Sequence, residues 1–220
     1  MPLTRRSVLA SGAALITAGC FENRVLENAK DTFSFLAFGA EDPPLKRSEV
    51  GKLPYASMTA KIGKGARILL ILAFAERDDR HWFAGGGEAL ITRHGRLVKT
   101  VGLPENFRDT RGRTFDPLSQ GIHEIEDSVT FTRDIDFEGD ARFILPIEST
   151  LERIGPQKIT ILDVDLETVL VRERNVAQTQ NWEFENLYWV DAFDGYVWKS
   201  RQHVSRLFPP VEIEILKPPG

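Results

Sequence analysis

Cys20 is the one cysteine of the 220-residue chain, and its neighbours define the chemistry open to it. Arg5 and Arg6 precede an uncharged run of small and apolar residues from Val8 to Ala18, and the segment closes on Thr17-Ala18-Gly19-Cys20. The run is too short for a spanning helix, which takes about 20 apolar residues. It has the layout of a secretory signal, with a positive start, an apolar middle and a small-residue cleavage site. Thr-Ala-Gly-Cys resembles the bacterial lipobox, in which the thiol is diacylated and the chain is then cut just before it. Ala18 and Gly19 leave the backbone open to a peptidase, and the thiol supplies the nucleophile that forms the thioether. Residues 1–19 are therefore read as a lipoprotein signal peptide and Cys20 as the lipidation site. Thr4-Arg5-Arg6-Ser7-Val8-Leu9 also resembles the twin-arginine export motif, and a plain basic start explains the same residues equally.

An acylated Cys20 has two consequences. Each buried methylene contributes about 0.8 kcal/mol, so two or more chains of palmitate type hold a protein stably on a membrane. No thiol then remains for a disulfide, a cysteine nucleophile or a thiolate metal site. Phe21 stands where an aspartate would mark retention at the inner membrane, which favours the outer membrane, with the protein facing the periplasm. The full chain carries a net charge of −4, and loss of Arg5 and Arg6 makes the mature chain more acidic still. Nucleic acid, whose phosphates require a basic footprint, is not an expected partner.

Elsewhere the search for reactive constellations finds little. His81, His94, His123 and His203 lack metal-ligand spacing, no serine sits in a G-x-S-x-G turn, and neither metal nor cofactor is expected. Gly63-Lys64-Gly65 reads as a turn and Gly85-Gly86-Gly87 as a loop. Asp163 and Asp165 would share one face of a strand, as paired carboxylates for a glycan-modifying enzyme do. The aromatic residues are the better lead. Trp82, Trp182, Trp189 and Trp198, with Tyr188 and Tyr196, either stack on sugar faces or fill the inner face of a sheet, and the second reading is preferred. Alternation over the segment that follows Gly195 places Tyr196, Trp198 and Ser200 on one face and Val197, Lys199 and Arg201 on the other. With Trp198 in the core, Lys199 and Arg201 become the candidate contact surface.

The elements that must position these residues change character at Pro54. Phe21, Val25, Ala29, Phe33 and Leu36 recur at helical spacing, which predicts an amphipathic helix packed against the domain and stopping near Gly39. A short helix or turn is expected over 45–53, so that 20–53 forms a helical lead-in. From Tyr55 the period becomes two. Strands are predicted over 55–62, 66–75, 81–84, 89–93, 97–101 and 129–137, with His94-Gly95 as a tight hairpin turn. Further strands are expected over 142–147, 158–164, 167–174, 182–191, 196–203 and 211–216. With 42% hydrophobic and 27% charged residues and no linker or repeat, residues 20–220 read as one β-rich domain. The fold class is mainly β, an antiparallel meander or barrel-like sheet with an N-terminal amphipathic helix.

Several longer segments carry a resemblance. They are Leu53-Pro54-Tyr55-Ala56-Ser57-Met58, the run from Thr92 to Pro104 around His94-Gly95-Arg96-Leu97, Asp116-Pro117-Leu118, Tyr188-Trp189-Val190-Asp191, Gly195-Tyr196-Val197-Trp198-Lys199-Ser200-Arg201-Gln202 and the closing Pro209-Pro210-Val211-Glu212-Ile213-Glu214-Ile215-Leu216. In this order, together with the lipobox, they resemble the YjbF/GfcB family of exopolysaccharide and group 4 capsule lipoproteins. The resemblance spans the mature chain and implies a β-rich fold. It also implies a periplasmic lipoprotein acting beside polysaccharide export proteins and an outer-membrane β-barrel. The family carries no established catalytic residues, so none transfers. Two functions follow: a non-enzymatic accessory that binds the polysaccharide or docks to the export machinery, or a glycan-modifying enzyme using carboxylates such as Asp163 and Asp165.

Overall fold

A computed structural model describes residues 45–220 except 104, 113–115, 121, 122, 124, 126, 127, 139–142 and 208. The signal peptide, the lipobox and the amphipathic segment 21–39 lie outside the described residues. Of the helical lead-in, one short helix, α1 (Arg47–Val50), is described.

Twelve strands follow in one antiparallel sheet. They are β1 (Ser57–Ile62), β2 (Ile68–Glu76), β3 (Asp79–Phe83), β4 (Ala89–Arg93), β5 (Arg96–Val101) and β6 (Phe107–Gly112), then β7 (Val129–Phe137), β8 (Phe143–Ile161), β9 (Val164–Ala177), β10 (Trp182–Asp191), β11 (Val197–Gln202) and β12 (Val211–Lys217). Spatial order is β5-β4-β3-β2-β1-β12-β11-β10-β9-β8-β7-β6. Two sequential meanders are thus joined by the β1–β12 pair. The sheet curls until its edges, β5 and β6, approach each other, which makes a nearly closed barrel. Side chains help to bridge that seam. The Phe107 N–H donates to Thr100 Oγ1 at 3.0 Å, and Thr100 Oγ1 donates to Asn106 Oδ1 at 3.3 Å.

Period-two alternation puts one residue set inside the barrel. Met58, Leu70, Trp82, Leu90, Leu97, Ile213 and their neighbours form the larger apolar cluster. Phe131, Leu151, Val171, Tyr188 and Val190 form a second, capped by Leu118 from a 3-10 turn at Pro117–Gln120. Phe107 and Phe137 meet edge to face at 5.6 Å, and Trp182 stacks on Phe184 at 4.0 Å. Burial of such aromatic and aliphatic side chains, about 1.5–3 kcal/mol each, is what holds a barrel without disulfides together.

The structure corrects two expectations about strands. Of the segments 142–147 and 158–164, residues 143–147 and 158–161 belong to a single 19-residue strand, β8, and Val164 already opens β9. Pro146 and Pro156 stay within the ladders of β8, and a bulge between Arg153 and Gly155 bends that strand. Beyond the end of β10, residues 158–161 of β8 and 164–167 of β9 run on as a two-stranded arm that ends at the turn Leu162-Asp163, both residues with positive φ (48° and 62°). Phe107–Gly112, not expected as a strand, forms the edge strand β6.

Candidate functional site

One end of the barrel carries the turns β2–β3, β4–β5, β8–β9 and β10–β11. Between them lies a cleft of about 450 Å³. Its floor is Trp82, Thr92 and Ser200, its wall Tyr196 and Trp198, and its rim includes Asp78, His94 and Asp194. Trp82 is oriented by its indole N–H, which donates to Thr92 Oγ1 at 2.9 Å.

The aromatic wall stands beside a backbone irregularity. Across the β10–β11 ladder Trp189 faces Lys199, but Val190 faces Val197, so Trp198 is an extra residue in a β-bulge. The bulge turns Val197 inward to pack on the second apolar cluster, while half-buried Trp198 keeps the side expected from its alternation with Ser200, packing on the larger cluster and lining the cleft. The expected grouping of Val197 with Lys199 and Arg201 is corrected accordingly. Trp198 is held from two sides. Its indole N–H donates to Asp191 Oδ2 at 2.9 Å, and Tyr196 meets it edge to face at 5.0 Å. Burial pushes the Asp191 carboxyl up, but the Trp198 indole and the backbone N–H groups of Phe193 and Asp194 outweigh it and hold the pKa below its ordinary value. The same carboxylate fixes the β10–β11 turn, accepting the Phe193 N–H at 2.9 Å. That turn leaves the Phe193 ring 92% exposed beside the mouth.

Under the cleft the barrel interior is charged. Arg96 Nη1 lies 2.7 Å from Glu173 Oε1, and Arg96 Nε lies 2.7 Å from Asp116 Oδ2. Glu173 Oε2 accepts the Asn186 amide at 2.7 Å and the Tyr188 hydroxyl at 3.1 Å. Arg133 approaches the same oxygen at 3.9 Å and donates to Asn175 Oδ1 at 3.0 Å. Gln202 links this cluster to the floor, donating to Ser200 Oγ at 2.9 Å while its Oε1 lies 3.3 Å from the Tyr188 hydroxyl. Burial would push the Glu173 carboxyl up. The guanidiniums of Arg96 and Arg133 win, and its pKa falls below 4.5. Asp116 is likewise desolvated and likewise held low, by Arg96. The Tyr188 hydroxyl is pushed far up by burial and stays protonated.

A carboxylate whose folded pKa is depressed contributes stability that is fully present above its unfolded pKa and lost as pH falls through the folded value. Glu173 and Asp116 both have this sign. Urea unfolding is therefore expected to show a plateau near neutrality and a fall in stability once pH drops below 4.5, the ordinary value for the glutamate. Constant stability from pH 7 into strong acid would contradict the cluster.

Known proteins share this barrel. Residues 30–216 match the family described as group 4 capsule polysaccharide lipoprotein GfcB, YjbF. The chain belongs to this family. It is 29% identical over 214 residues to the uncharacterized lipoprotein GfcB of Escherichia coli, covering 97% of this chain and 99% of that one. It is 26% identical over 188 residues to the uncharacterized lipoprotein YjbF of the same organism, covering 82% and 84%. The crystal structure of the hypothetical lipoprotein YmcC from E. coli superimposes with a TM-score of 0.77 at 26% identity, covering 89% of this chain and 96% of that one. The resemblance drawn from the quoted segments and the β-rich barrel reading both hold.

Within this YjbF/GfcB fold, the residues singled out in the sequence scatter. Lys199 and Arg201 alternate with Ser200 on β11; Lys199 also lines the cleft, whereas Arg201 does not. Lys199 donates to Glu214 Oε1 at 2.7 Å and lies over the Trp189 ring. Asp163 is a turn residue outside the β8–β9 ladder. Asp165, on the arm, accepts the Thr160 hydroxyl at 2.8 Å and pairs with Lys158 at 3.4 Å. The expected pair of carboxylates on one strand face is thus not formed. Cys20 lies outside the described residues. The buried cluster of Arg96, Arg133 and Glu173 was missed in the sequence. Its signal was present, since Arg133 stands between Phe131 and Ile135 on the inward set of β7.

Proposed function

We propose that this lipoprotein is a non-enzymatic accessory of capsule or exopolysaccharide production that holds polysaccharide at the mouth of its barrel. Cys20 is the anchor, placing the barrel on the outer membrane and facing the periplasm, where polysaccharide export proteins and an outer-membrane β-barrel are its partners. The observation that carries the reading is Trp198. Unpaired across the ladder at a bulge, its indole is oriented by Asp191 and Tyr196 and lines a cleft in a capsule polysaccharide family. A ring held in place before binding loses little further freedom when a sugar stacks on it. Asp78 and Asp194 share the cleft lining with Arg80 and Lys199, so donors and acceptors of both charge signs stand beside the ring for a sugar's hydroxyl groups.

Lys199 and Arg201 are the competing surface. Lys199 is engaged by Glu214, which reduces its value as a contact for an external ligand. The Lys199→Ala/Arg201→Ala double variant is expected to be produced stably and to sustain normal polymer output, because part-buried Glu214 keeps Arg67 as a cationic partner when Lys199 is removed. Because Lys199 also lines the cleft, Arg201→Ala alone separates the two surfaces: loss of polymer from a stable Arg201→Ala variant would move the contact to the outer face and overturn the mouth reading.

A further inference from the structure

The arm that runs on beyond β10 is amphipathic. Ile159 pairs with Leu166 and Ile161 with Val164, and alternation sets these four aliphatic residues on one face. The pairs Lys158 with Glu167 and Thr160 with Asp165 make up the other, where the Lys158 ammonium lies 3.2 Å from Glu167 Oε1 and the Thr160 hydroxyl donates to Asp165. The polar face is thus satisfied within the arm, and the apolar face is not filled. Between it and the end of the barrel lies a second cavity, of about 250 Å³. Its walls are Ile161, Val164 and Leu166 on the arm, Val50 of α1, and Ile215 and Leu216 of β12. Arg47 and Lys217 are the charged residues of its lining, which holds no carboxylate. Arg47 is exposed, and the Lys217 ammonium donates to the Leu53 carbonyl at 2.6 Å, a neutral partner that leaves its charge uncompensated. The cavity also adjoins the cleft, since Trp198 and Ile215 line both.

We propose that this cavity takes the alkyl chain of an anionic lipid that ends the polysaccharide, so that Trp198 stands between a lipid subsite and a glycan subsite of one ligand. The inference rests on the reading of the cleft as a polysaccharide site and gives that polysaccharide a lipid terminus. Aliphatic walls hold an alkyl chain by removing its methylenes from water and ask for no hydrogen bonds in return. A polypeptide segment in the same place would bring backbone N–H and C=O groups that these walls cannot pair. Arg47 and Lys217 supply the cationic partners that a phosphate or carboxylate head needs when it leaves water. The indole suits the boundary, because its body is apolar while its N–H is already held by Asp191. A membrane phospholipid shares the chain and the anion, but its head would leave the adjoining cleft of about 450 Å³ unfilled. A lipid-ended glycan fills both, with its chain under the arm, its anion at the two cations and its sugars in the mouth.

Two probes test this on the full lipoprotein in phosphatidylcholine nanodiscs. The first is dodecyl phosphate with a diazirine on its chain. Photolysis is expected to label residues 158–167 and 211–217, read by peptide mass mapping, and Leu166→Asp should lower that labelling at least about tenfold by setting a charge beside the chain. Labelling confined to other segments, or unchanged in Leu166→Asp, would overturn the lipid subsite. Labelling abolished by phosphatidylglycerol in the nanodisc would assign the cavity to a membrane phospholipid and overturn the proposal as well. The second probe is polymer from producing cells, compared with the same polymer after mild acid has freed its reducing end. The unaltered protein is expected to retain the intact form at least about tenfold more tightly, and Leu166→Asp to hold the two forms alike. Equal retention of both forms by the unaltered protein would remove the lipid terminus and leave the glycan cleft standing. Retention of neither form, with the arm still labelled, would instead remove the glycan cleft and with it the two-part ligand. The comparison of the two polymers needs no variant, so it decides the matter even if Leu166→Asp fails to fold.

Discussion

Replacing Arg96 with Leu is expected to cost about 3–5 kcal/mol of folding stability. The reason is the company Arg96 keeps. It holds Glu173 and Asp116 on two sides of its guanidinium inside the barrel. Leucine would leave Glu173 buried with Arg133 at 3.9 Å as its remaining cationic partner. For a chain of this length the loss corresponds to a melting temperature lower by about 10 °C. The signature that separates an ion cluster from ordinary packing is non-additivity. Adding Glu173→Leu to Arg96→Leu should restore part of what the first change removed, because the abandoned carboxylate goes with it. Additive losses, followed by thermal unfolding of the four proteins of that cycle, would show that Arg96 contributes through its hydrocarbon stem alone.

The second large effect concerns binding. Trp198→Ala is expected to leave a folded barrel that no longer retains polysaccharide. A fully buried tryptophan costs about 3–5 kcal/mol on truncation. Trp198 is half-buried, and about 2 kcal/mol is expected of it, too little to unfold a domain of this size. Retention of the native polymer on immobilised protein should fall at least about tenfold, equivalent to about 1.4 kcal/mol of binding. Polymer recovered from the parent protein should be unshortened and chemically unaltered. A variant that melts normally and still retains polymer would rule out the cleft wall, and a shortened polymer would revive an enzymatic role.

Regular period-two patterning made most of the barrel readable. The strand over 182–191 and the turn at His94-Gly95 follow from alternation and from glycine's tolerance of positive φ, which reaches 82° at Gly95. The turn at Leu162-Asp163 makes the same backbone demand with Asp163 as its one tolerant residue, a weaker signal than glycine. Pro146 and the Gly155-Pro156 pair read as strand breakers, yet they occupy a strand already bent by a bulge. Strand β6 reads Phe-Arg-Asp-Thr-Arg-Gly, and an edge strand needs only Phe107 and Thr110 to face inward. The site was harder still. Alternation put Trp198 on the side of Ser200, but no residue type signals the bulge that also turns Val197 inward. The charged interior was hidden for the opposite reason, because patterning rewards apolar inward positions and passes over an arginine or glutamate standing among them.

The spatial order of the strands has a consequence for how the chain acquires its shape. Every neighbouring pair in the sheet is also adjacent in the sequence, with the exception of β1 with β12. There Ser57 pairs with Lys217, 160 residues later. Hairpins can form one after another as local events, but this joint must wait until the last strand exists. Closing a loop of that size carries an entropic penalty that sequential hairpins avoid. A circular permutant opened between β5 and β6, with Lys217 linked to Ser57, would turn the order into an uninterrupted meander from β6 through β12 and β1 to β5. The natural arrangement instead leaves two half-sheets with unmated edges until the final strand arrives. For an exported chain that interval is the period of greatest exposure to strand-to-strand aggregation.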